Sequence, residues 1–329
     1  MNITVLTEKE LRECVSLDVE AIAAMEPAFT ALASGDADMP PIMRVDVPEH
    51  NGEVDIKTAY IRGLDSFALK ASGGFFDNHK LGLPSLSGLM VLLSAQTGYV
   101  QAILLDNGYL TDVRTAAAGA LAAQHLAPES CVNVGVLGAG AQARLQIQAL
   151  KLVRDFRRVR VWARNRERAE AYRDEMSAAL GVDVEVCAEQ QEVVRRSDTV
   201  VTTTPATKSL IDADWLHPGL HITAMGSDAE TKNELAPAVI ARADLFVCDS
   251  RAQSARLGEL HHAIAAGAVG EDVAVTELGE ITNGGKPGRE SADQITVCDL
   301  TGTGVQDTAI ARLAYRKAIE AGFGLQVES

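Results

Sequence analysis

A glycine-rich turn near the middle of the chain has the residue types of a phosphate-binding loop. The apolar run VGVL leads into GAGAQA, Gly138 to Ala143, which is the G-x-G-x-x-A form of that loop. Gly138 allows a tight turn, Gly140 lets the backbone approach a pyrophosphate, and the helix that begins here points its first N–H groups at the phosphates. Because the turn follows a strand-like run and opens a helix-like one, it predicts a dinucleotide site at Gly138, Gly140, Ala141 and Gln142 rather than a purely structural turn.

The residues after the next strand-like run bear on which dinucleotide is bound. An acid roughly 20 residues after the glycine turn is expected to bind the ribose hydroxyls. Here the corresponding run is Trp162 to Arg166, in which Arg164 and Arg166 flank Asn165. Two arginines in place of a carboxylate favour NADP(H), or use of both cofactors, because guanidinium groups pair with a phosphate. Asn165 can still hydrogen-bond a plain ribose, and the arginines can equally be the solvated start of a helix, so NAD(H) stays open.

A further residue able to do chemistry follows the run LHITAMG. This run starts after a Pro-Gly turn and ends at Gly226, so it is interpreted as a strand whose carboxyl end delivers Asp228. Open α/β sheets bind ligands at the carboxyl ends of their strands, and an acid there can transfer a proton to or from a substrate nitrogen beside a nicotinamide. The alternative is that Asp228 caps a helix that contains Lys232 and Glu234, since aspartate is a favoured N-cap.

The elements that must position these residues alternate along the second part of the chain. From about Cys131 onward, short apolar runs such as CVNVGVLGAG, VRVWAR, DTVVTTTP and ITVCDLTG alternate with amphipathic, helix-like stretches. This rhythm predicts a mostly parallel, doubly wound α/β sheet of the Rossmann type, covered by helices. We therefore assign residues 118–306 to a Rossmann domain that binds NAD(P).

The sequence before Arg114 has a different texture. Segments such as EVDIKTAYI and SFALKASGGF alternate in polarity between Gly and Pro turns, which is typical of an antiparallel or mixed sheet, so residues 1–117 are predicted to form a separate α+β domain. The alanine-rich run TDVRTAAAGALAAQHLAP is predicted to be a linking helix whose small residues allow close packing. A last amphipathic helix is predicted from Asp307 to Ala321, in a segment, 307–329, that can return to the first domain.

Charge and composition exclude several classes of partner. The chain has 45 acidic and 30 basic residues and a formal net charge of -15. Lys and Arg supply the attraction to nucleic acid and to anionic lipid, so neither nucleic acid nor membrane is an expected partner. The amino-terminal stretch MNITVLTEKELRECV lacks the basic and long apolar segments that direct export or membrane insertion, so the expected location is the cytoplasm.

Three other patterns are interpreted as structural. The five cysteines are scattered without a C-x-x-C pair, which indicates buried thiols rather than disulfides or a zinc site. His261 and His262 are adjacent, and neighbours on a helix point about 100° apart, so a helix surface is favoured over a metal site. The arginine-rich span from Arg154 to Arg173 is interpreted as a solvated strand edge and helix face rather than a nucleic-acid site.

With these residues in view, the chain resembles the ornithine cyclodeaminase and mu-crystallin family over nearly its whole length. The stretches that carry the resemblance are MPPIMRVDVP, FALKASGGF, LGLPSLSGLMVLLSAQTGYVQAILLDNGYLTDVRTAAAGALAA, GVLGAGAQAR, MGSDAETKNEL and DLTGTGVQD. The resemblance implies a homodimeric enzyme whose amino-terminal domain contacts substrate and forms the dimer interface. Members include cyclodeaminases, ketimine reductases, and alanine, imino-acid and opine-type dehydrogenases.

The resemblance also assigns residues to roles by position. Arg44, Lys70 and Arg114 match the family's contacts with the substrate carboxylate, and Asp228 matches the acid beside the reacting carbon. The residues that match cofactor-contact regions are Ser85, Arg114, Thr115, Gly140 to Gln142, Thr203, Met225, Gly226, Lys232, Thr301 and Gly302.

The basic residues of the first domain suit an amino-acid or imino-acid substrate. Arginine pairs bidentately with a carboxylate, and a lysine adds charge or carries a proton, so Arg44, Lys70 and Arg114 are meaningful as a set although any one alone is more often a surface charge. Either Asp228 or Lys70 is expected to handle the proton on nitrogen.

Lys57 is the residue that bears on substrate choice. It lies where cyclodeaminases tend to place an acid for the distal amino group of ornithine, and a cation there attracts a second carboxylate instead, unless Lys57 simply faces solvent. The sequence therefore predicts an NAD(P)H-dependent imino-acid reductase, with reduction of iminosuccinate to aspartate as the most specific hypothesis. The alternatives are an ornithine cyclodeaminase without net redox change and a non-catalytic, mu-crystallin-like binding protein.

Overall fold

The computed structural model describes residues 2–328 and has the mixed α/β architecture that the sequence predicts. It divides into two compact units: the first contains the chain through Arg114 together with the residues from Thr303 onward, and the second is Thr115–Gly302. The strands are β1 Asn2–Thr7, β2 Ala37–Asp38, β3 Met43–Val47, β4 Gly52–Ile61, β5 Ser66–Phe75, β6 Leu86–Ser94, β7 Val100–Leu105, β8 Asn133–Leu137, β9 Arg158–Trp162, β10 Asp183–Val186, β11 Thr199–Thr202, β12 His221–Ala224, β13 Leu245–Cys248, β14 Thr276–Glu277, β15 Thr296–Asp299 and β16 Leu325–Glu328. The α-helices are α1 Glu8–Cys14, α2 Val19–Ala33, α3 Tyr109–Leu126, α4 Ala141–Val153, α5 Arg166–Leu180, α6 Gln190–Arg195, α7 Pro237–Arg242, α8 Arg251–Leu257, α9 Glu259–Ala265, α10 Leu278–Thr282 and α11 Gly304–Glu320.

The first unit is built on one mixed sheet. Its strands follow the order β16-β1-β7-β6-β5-β4-β2, with β3 also paired to β4. β1 is parallel to β7, whereas the other pairs are antiparallel. Side chains of β4 to β7 alternate between a buried face, on which α11 packs, and a half-exposed apolar face.

Helix α11 begins three residues earlier than the sequence predicts. Thr303 forms a capping box with Gln306, which satisfies the first backbone N–H groups of the helix. Gly304 lies so close to β4 that an added Cβ would be 2.3 Å from the Thr58 carbonyl oxygen. This glycine therefore lets the amino-terminal turn of α11, with Asp307, lie directly against the sheet.

The second unit is a doubly wound sheet. All eight strands are parallel, in the order β10-β9-β8-β11-β12-β15-β13-β14. The strand order reverses beside β8, which is the position where such sheets bind dinucleotides. Two apolar clusters, one around Val134 and Val159 and the other around Ile222 and Val297, form its core.

The small residues of α3 have the packing role that the sequence suggested. At Gly119 an added Cβ would be 2.0 Å from Gln146 Oε1 on α4, so a larger residue would displace the Gln146 side chain from its present position. Gln146 also donates to the Thr115 carbonyl at 2.9 Å.

The interpretation of Arg154 and its neighbours as solvated is wrong at two positions. Arg154 is half-buried and donates to four carbonyl oxygens at the end of α3, and Arg160 is 4% exposed, because both satisfy polar groups inside the unit.

The cysteines differ in exposure, and the helices bear on whether the chain could cross a membrane. All five cysteines are free thiols; four are buried, but Cys14, at the end of α1, is partly exposed, contrary to the prediction that all are buried. Among residues 2–328, no helix combines the length and apolar character that crossing a bilayer requires.

Candidate active site

A buried cluster of cations lies on the covered face of the first unit's sheet. Lys57 of β4 and Lys70 of β5 are directly opposite each other in the antiparallel register, and they are 7% and 2% exposed. Arg114 of α3 is also buried. We call these three residues the basic cluster. Like charges directly opposite each other destabilise a sheet, so this arrangement indicates a requirement for positive charge rather than for packing. The alternative that Lys57 faces solvent is wrong, because even positions of β5 and odd positions of β4 share the buried face.

Asp307 is the carboxylate that lies among these cations. Its Oδ1 accepts hydrogen bonds from Lys70 Nζ at 2.9 Å and from Arg114 Nε at 3.1 Å. Its buried Oδ2 has no hydrogen-bond partner within residues 2–328. From the sequence, Asp307 is predicted only as the start of a helix; the signal for a buried role is that it lies on the apolar stripe of α11 with Ile310 and Ala311.

The cluster changes the protonation behaviour of its members. Burial lowers the pKa of Lys70 to about 7, the charge of Arg114 acts in the same direction, and that of Asp307 opposes it. Burial by itself would raise the pKa of Asp307, but the charges of Lys70, Arg114 and Lys57 hold it below its usual value. A lysine that exchanges its proton near neutral pH therefore lies beside a carboxylate that stays ionised, an arrangement suited to proton transfer.

Arg44 has different surroundings. It lies on β3 opposite Asp55 and forms ion pairs with Asp46 at 3.0 Å, with Glu53, and with Asp55 at 3.8 Å. Its side chain remains 32% exposed. Arg44 thus lies on the same sheet face as Lys57, which is two residues beyond Asp55 on β4. However, three carboxylates already surround its guanidinium group. These acids were not singled out from the sequence, because their convergence depends on the β3–β4 register.

The glycine turn of the second unit fits a dinucleotide phosphate. Gly138 has a φ of 120°, and an added Cβ there would be 2.6 Å from Thr203 Oγ1, so the position requires glycine. Gly140 caps α4 without a side-chain hydrogen bond, and a Cβ built on it meets no atom within 4 Å. The first N–H groups of this 13-residue helix thus adjoin open space that a side chain would otherwise fill, which is where a pyrophosphate binds in such folds. Ala141 and Gln142 form the first turn of the helix.

The segment expected to contact the ribose is exposed. Arg164, Asn165 and Arg166 follow β9, and all three are exposed to solvent. Asn165 is the N-cap of α5, because its side chain accepts a hydrogen bond from Arg168 N at 3.0 Å. Arg166 pairs with Glu170 one turn later at 3.0 Å. Of these three residues, Arg164 is the one whose side chain forms no hydrogen bond or ion pair within residues 2–328.

Asp228 follows β12 in a loop. It lies four residues after Ala224, the last residue of the strand, and its carboxylate is 2.6 Å from Lys232 Nζ. The side chain of Asp228 is 46% exposed and that of Lys232 is 17% exposed. The two residues therefore form a lysine–aspartate pair beyond the carboxyl end of the strand, the edge at which these sheets bind ligands.

The alternative that Asp228 caps a helix is wrong. Residues 225–236 form turns and extended chain, and α7 begins only at Pro237. The reason is that Asn233 and Glu234 bond across to the loop after β11: Asn233 N donates to the Ala206 carbonyl, and the Glu234 carbonyl accepts from Leu210 N. These bonds use the backbone groups that a helix would need internally.

Glu234 is a buried acid whose role the sequence did not reveal. It accepts hydrogen bonds from Thr202 Oγ1 at 2.6 Å, Thr204 N at 2.6 Å and Gly226 N at 2.8 Å. Burial raises its pKa, while these hydrogen bonds oppose the shift. Glu234 therefore ties together the carboxyl ends of β11 and β12, which carry the predicted cofactor contacts Thr203 and Met225.

The turn after β15 is fixed in a similar way. Asp249, at the end of β13, accepts from Thr301 Oγ1 at 2.8 Å and from Gly302 N at 2.7 Å. Gln253 donates to Thr301 Oγ1 and to the Gly302 carbonyl. Thr301 and Gly302 are thereby held at the same edge of the sheet as Met225 and Gly226.

The remaining residues that the sequence singled out form contacts other than those of the basic cluster and the glycine turn. Ser85 precedes β6, and its carbonyl accepts from Phe75 N at 2.8 Å. Thr115 lies on α3, where its carbonyl accepts from Gln146. His261 and His262 are partly buried on α9, with ring centroids 5.1 Å apart. No group of three His, Cys, Asp or Glu side chains within residues 2–328 is arranged to hold a metal ion.

Known proteins are similar to this chain over nearly its whole length. The family model for the ornithine cyclodeaminase/mu-crystallin family matches residues 1–322. An uncharacterized cyclodeaminase of Sinorhizobium fredii is 56% identical over 326 residues, 99% of this chain and 98% of that protein. The iminosuccinate reductase of Paracoccus denitrificans is 35% identical over 328 residues, 98% of this chain and 99% of that protein.

A solved structure is similar over the same length. The Delta(1)-pyrroline-2-carboxylate reductase of Thermococcus litoralis, in complex with NADH and L-proline, has a TM-score of 0.93 and 30% sequence identity, and the match covers 99% of this chain and all of that chain. Both named reductases act on a carbon–nitrogen double bond beside a carboxylate.

Proposed function

Because the chain belongs to the ornithine cyclodeaminase/mu-crystallin family, we propose that it is an NAD(P)H-dependent imino-acid reductase, reversible as an amino-acid dehydrogenase. The most specific form of the proposal is the reduction of iminosuccinate to L-aspartate. The observation that carries it is the basic cluster, in which Lys70 and Arg114 pair with the carboxylate of Asp307 and the charge of Lys57 also acts on it. A substrate with two carboxylates complements this excess of positive charge.

Each unit contributes a different part of the chemistry. In the first unit, Arg114 and Lys70 bind one substrate carboxylate and Lys57 attracts the second, while Arg44, already paired with acids, has at most a secondary role. In the second unit, the glycine turn holds the pyrophosphate, and Asp228 is, together with Lys70 of the first unit, one of two candidates to exchange a proton with the substrate nitrogen. A bound NAD(P)H supplies the hydride that reduces the imine carbon.

Net oxidation of NAD(P)H distinguishes a reductase from the alternative functions. We expect NAD(P)H oxidation with iminosuccinate, formed in situ from oxaloacetate and ammonia, to exceed that with other 2-oxo acids plus ammonia. A cyclodeaminase, which the name of the Sinorhizobium relative favours, would convert ornithine with no net change in NAD(P)H absorbance. Cofactor binding without turnover of any substrate in the panel would instead indicate a binding protein of the mu-crystallin kind.

Arg164→Asp is expected to reduce the use of NADPH relative to NADH. Arg164 is exposed after β9, where a 2'-phosphate would bind, and an aspartate there repels that phosphate and accepts from a plain ribose. The ratio of kcat/KM for NADPH to that for NADH is expected to fall roughly tenfold or more, the effect of one charge-assisted contact. Arg166→Asp is the matched control, because Arg166 is paired with Glu170. An unchanged ratio in Arg164→Asp would return Arg164 to the surface charges.

We also propose that the chain forms a homodimer through the half-exposed apolar face of the first unit's sheet. One row across this face contains Leu69, Val91, Ile103 and Val5, which are neighbours in the strand register and none of which is fully buried. A continuous apolar sheet face of this kind is typical of an interface. The five free thiols suit a reducing compartment, so the proposed location is the cytoplasm.

Val91→Lys is expected to convert the dimer to a monomer. The substitution places a charge at the centre of the apolar row, where an interface would desolvate it. Light scattering at several concentrations measures the mass. Val19→Lys is the control, because Val19 is 65% exposed at the start of α2 and does not belong to the apolar row. A dimeric Val91→Lys protein, with the wild-type dissociation constant, would contradict this interface.

A further inference from the structure

We propose that the basic cluster takes up a proton when it binds a carboxylate anion, that Lys70 accepts this proton, and that Asp307 is the positioning residue which determines the pH at which uptake occurs. The inference rests on the proposed function, since it takes the cluster to be the site of the substrate carboxylates. It adds that substrate binding causes Lys70 to take up from solvent the proton that the reduction then consumes.

The geometry restricts what can compensate the charge of Lys70. Its Nζ is 2.9 Å from Asp307 Oδ1, and the same oxygen accepts from Arg114 Nε, so one carboxylate oxygen is shared by two cations. Lys57 is the cross-strand neighbour on β4, while the neighbour on β6 is the apolar Met90. With 2% exposure, Lys70 has almost no access to water that would stabilise its charge.

The charged groups around Lys70 come from four elements. Lys57 of β4 and Arg114 of α3 disfavour its protonated form, and Asp307 of α11 favours it. Asp106, which follows β7 and is largely buried, is the other acid that interacts with Lys70. Burial and the two cations prevail, so the pKa of Lys70 is about 7 before an anion binds. An added carboxylate supplies negative charge to the same low-dielectric site and raises that pKa, so a lysine that is partly neutral becomes protonated.

The proton has a use in the proposed reaction. Reduction of an imine forms one C–H bond from the hydride and leaves the former π electron pair on nitrogen, which then takes up one proton. A protonated Lys70 beside the substrate is able to supply that proton and is left neutral, as it was before the substrate bound. Proton uptake on binding and proton transfer on reaction therefore balance over a turnover.

The test is calorimetry of succinate binding. Succinate carries two carboxylates at neutral pH and has neither an amino nor a keto group, so it binds without reacting. Titration of the protein saturated with its oxidised nicotinamide cofactor, in pairs of buffers with different ionisation enthalpies, gives the number of protons taken up. We expect uptake to be small near about pH 6, where Lys70 is already protonated, and largest above about pH 7.

Two variants are expected to move this profile in opposite directions. Asp307→Asn removes the charge that favours protonated Lys70, so the uptake range shifts to lower pH. Lys57→Met removes a neighbouring cation, so the range shifts to higher pH. A purely structural role for Asp307 would weaken succinate binding without moving the profile.

The outcomes distinguish this inference from the proposed function. Succinate binding with proton uptake that follows the two shifts supports it. Binding without proton uptake between about pH 6.5 and 9, or uptake that is unchanged in Asp307→Asn, overturns it while leaving the reductase proposal in place. If succinate does not bind at all, both the dicarboxylate specificity and the inference built on it fail.

Discussion

Asp228→Asn is expected to lower kcat for imine reduction by about 10²- to 10⁴-fold, the usual contribution of a positioned general acid or base. The substitution keeps the shape and one hydrogen-bond acceptor for Lys232 Nζ, which is 2.6 Å away in the native protein, but removes the ability to exchange a proton. Because Asp228 lies in a loop beyond β12 and supports no helix, we expect little change in the free energy of unfolding. Steady-state oxidation of NAD(P)H at saturating substrate measures the effect.

The same loop offers a control for this prediction. Glu230 is an exposed acid two residues after Asp228, so Glu230→Gln makes the same change in net charge without touching the ion pair. It is expected to retain the wild-type kcat. An Asp228→Asn enzyme with kcat within about threefold of wild type, and with intact cofactor binding, would remove Asp228 from the catalytic residues.

The pH dependence decides between Asp228 and Lys70 as the proton donor. A general acid must be protonated, so if Lys70 donates the proton, kcat/KM for reduction is expected to fall as the pH rises through about 7, the pKa of Lys70 before an anion binds. This decline should be absent from Lys70→Met and retained in Asp228→Asn. The reverse pattern would assign the proton to Asp228.

Lys57→Glu is expected to lower kcat/KM for iminosuccinate by roughly 30- to 5,000-fold, equivalent to about 2 to 5 kcal/mol for inverting one charge of a buried pair. Lys57 is 7% exposed, so solvent screens its interaction with a second substrate carboxylate only weakly. The glutamate is expected to favour substrates with a neutral or cationic side chain, which kcat/KM for alanine and ornithine would show. Its carboxylate would also lie opposite Lys70.

Two comparisons make this prediction specific to the charge at position 57. Lys57→Met removes the charge but keeps a similar length, and it should lose a smaller part of the iminosuccinate activity than Lys57→Glu. Lys9→Glu makes the same charge inversion at an exposed position of α1 and should leave kcat/KM unchanged. Equal activity of Lys57→Glu and wild type with iminosuccinate would exclude Lys57 from substrate selection.

Local sequence patterns were sufficient to predict the fold of the second unit. The alternation of apolar runs with amphipathic stretches predicted a doubly wound sheet, and the structure confirms it. The glycine turn was equally readable, because the residues that form a phosphate-binding turn and its helix are consecutive in the chain. The family resemblance, which the whole-chain match confirms, was also visible in contiguous stretches.

The sequence by itself therefore determined the fold class, the family and a set of candidate residues, because all of these depend on short segments or on their order. The tertiary structure decided how the candidates are charged and paired. Asp307 meets Lys70 across 237 residues of chain, and Lys57 lies opposite Lys70 only through the β4–β5 register. Backbone hydrogen bonds of Asn233 and Glu234 to the loop after β11 keep Asp228 in a loop instead of a helix. Burial and non-local contacts set these energies, and no local pattern encodes which distant charge a side chain will meet.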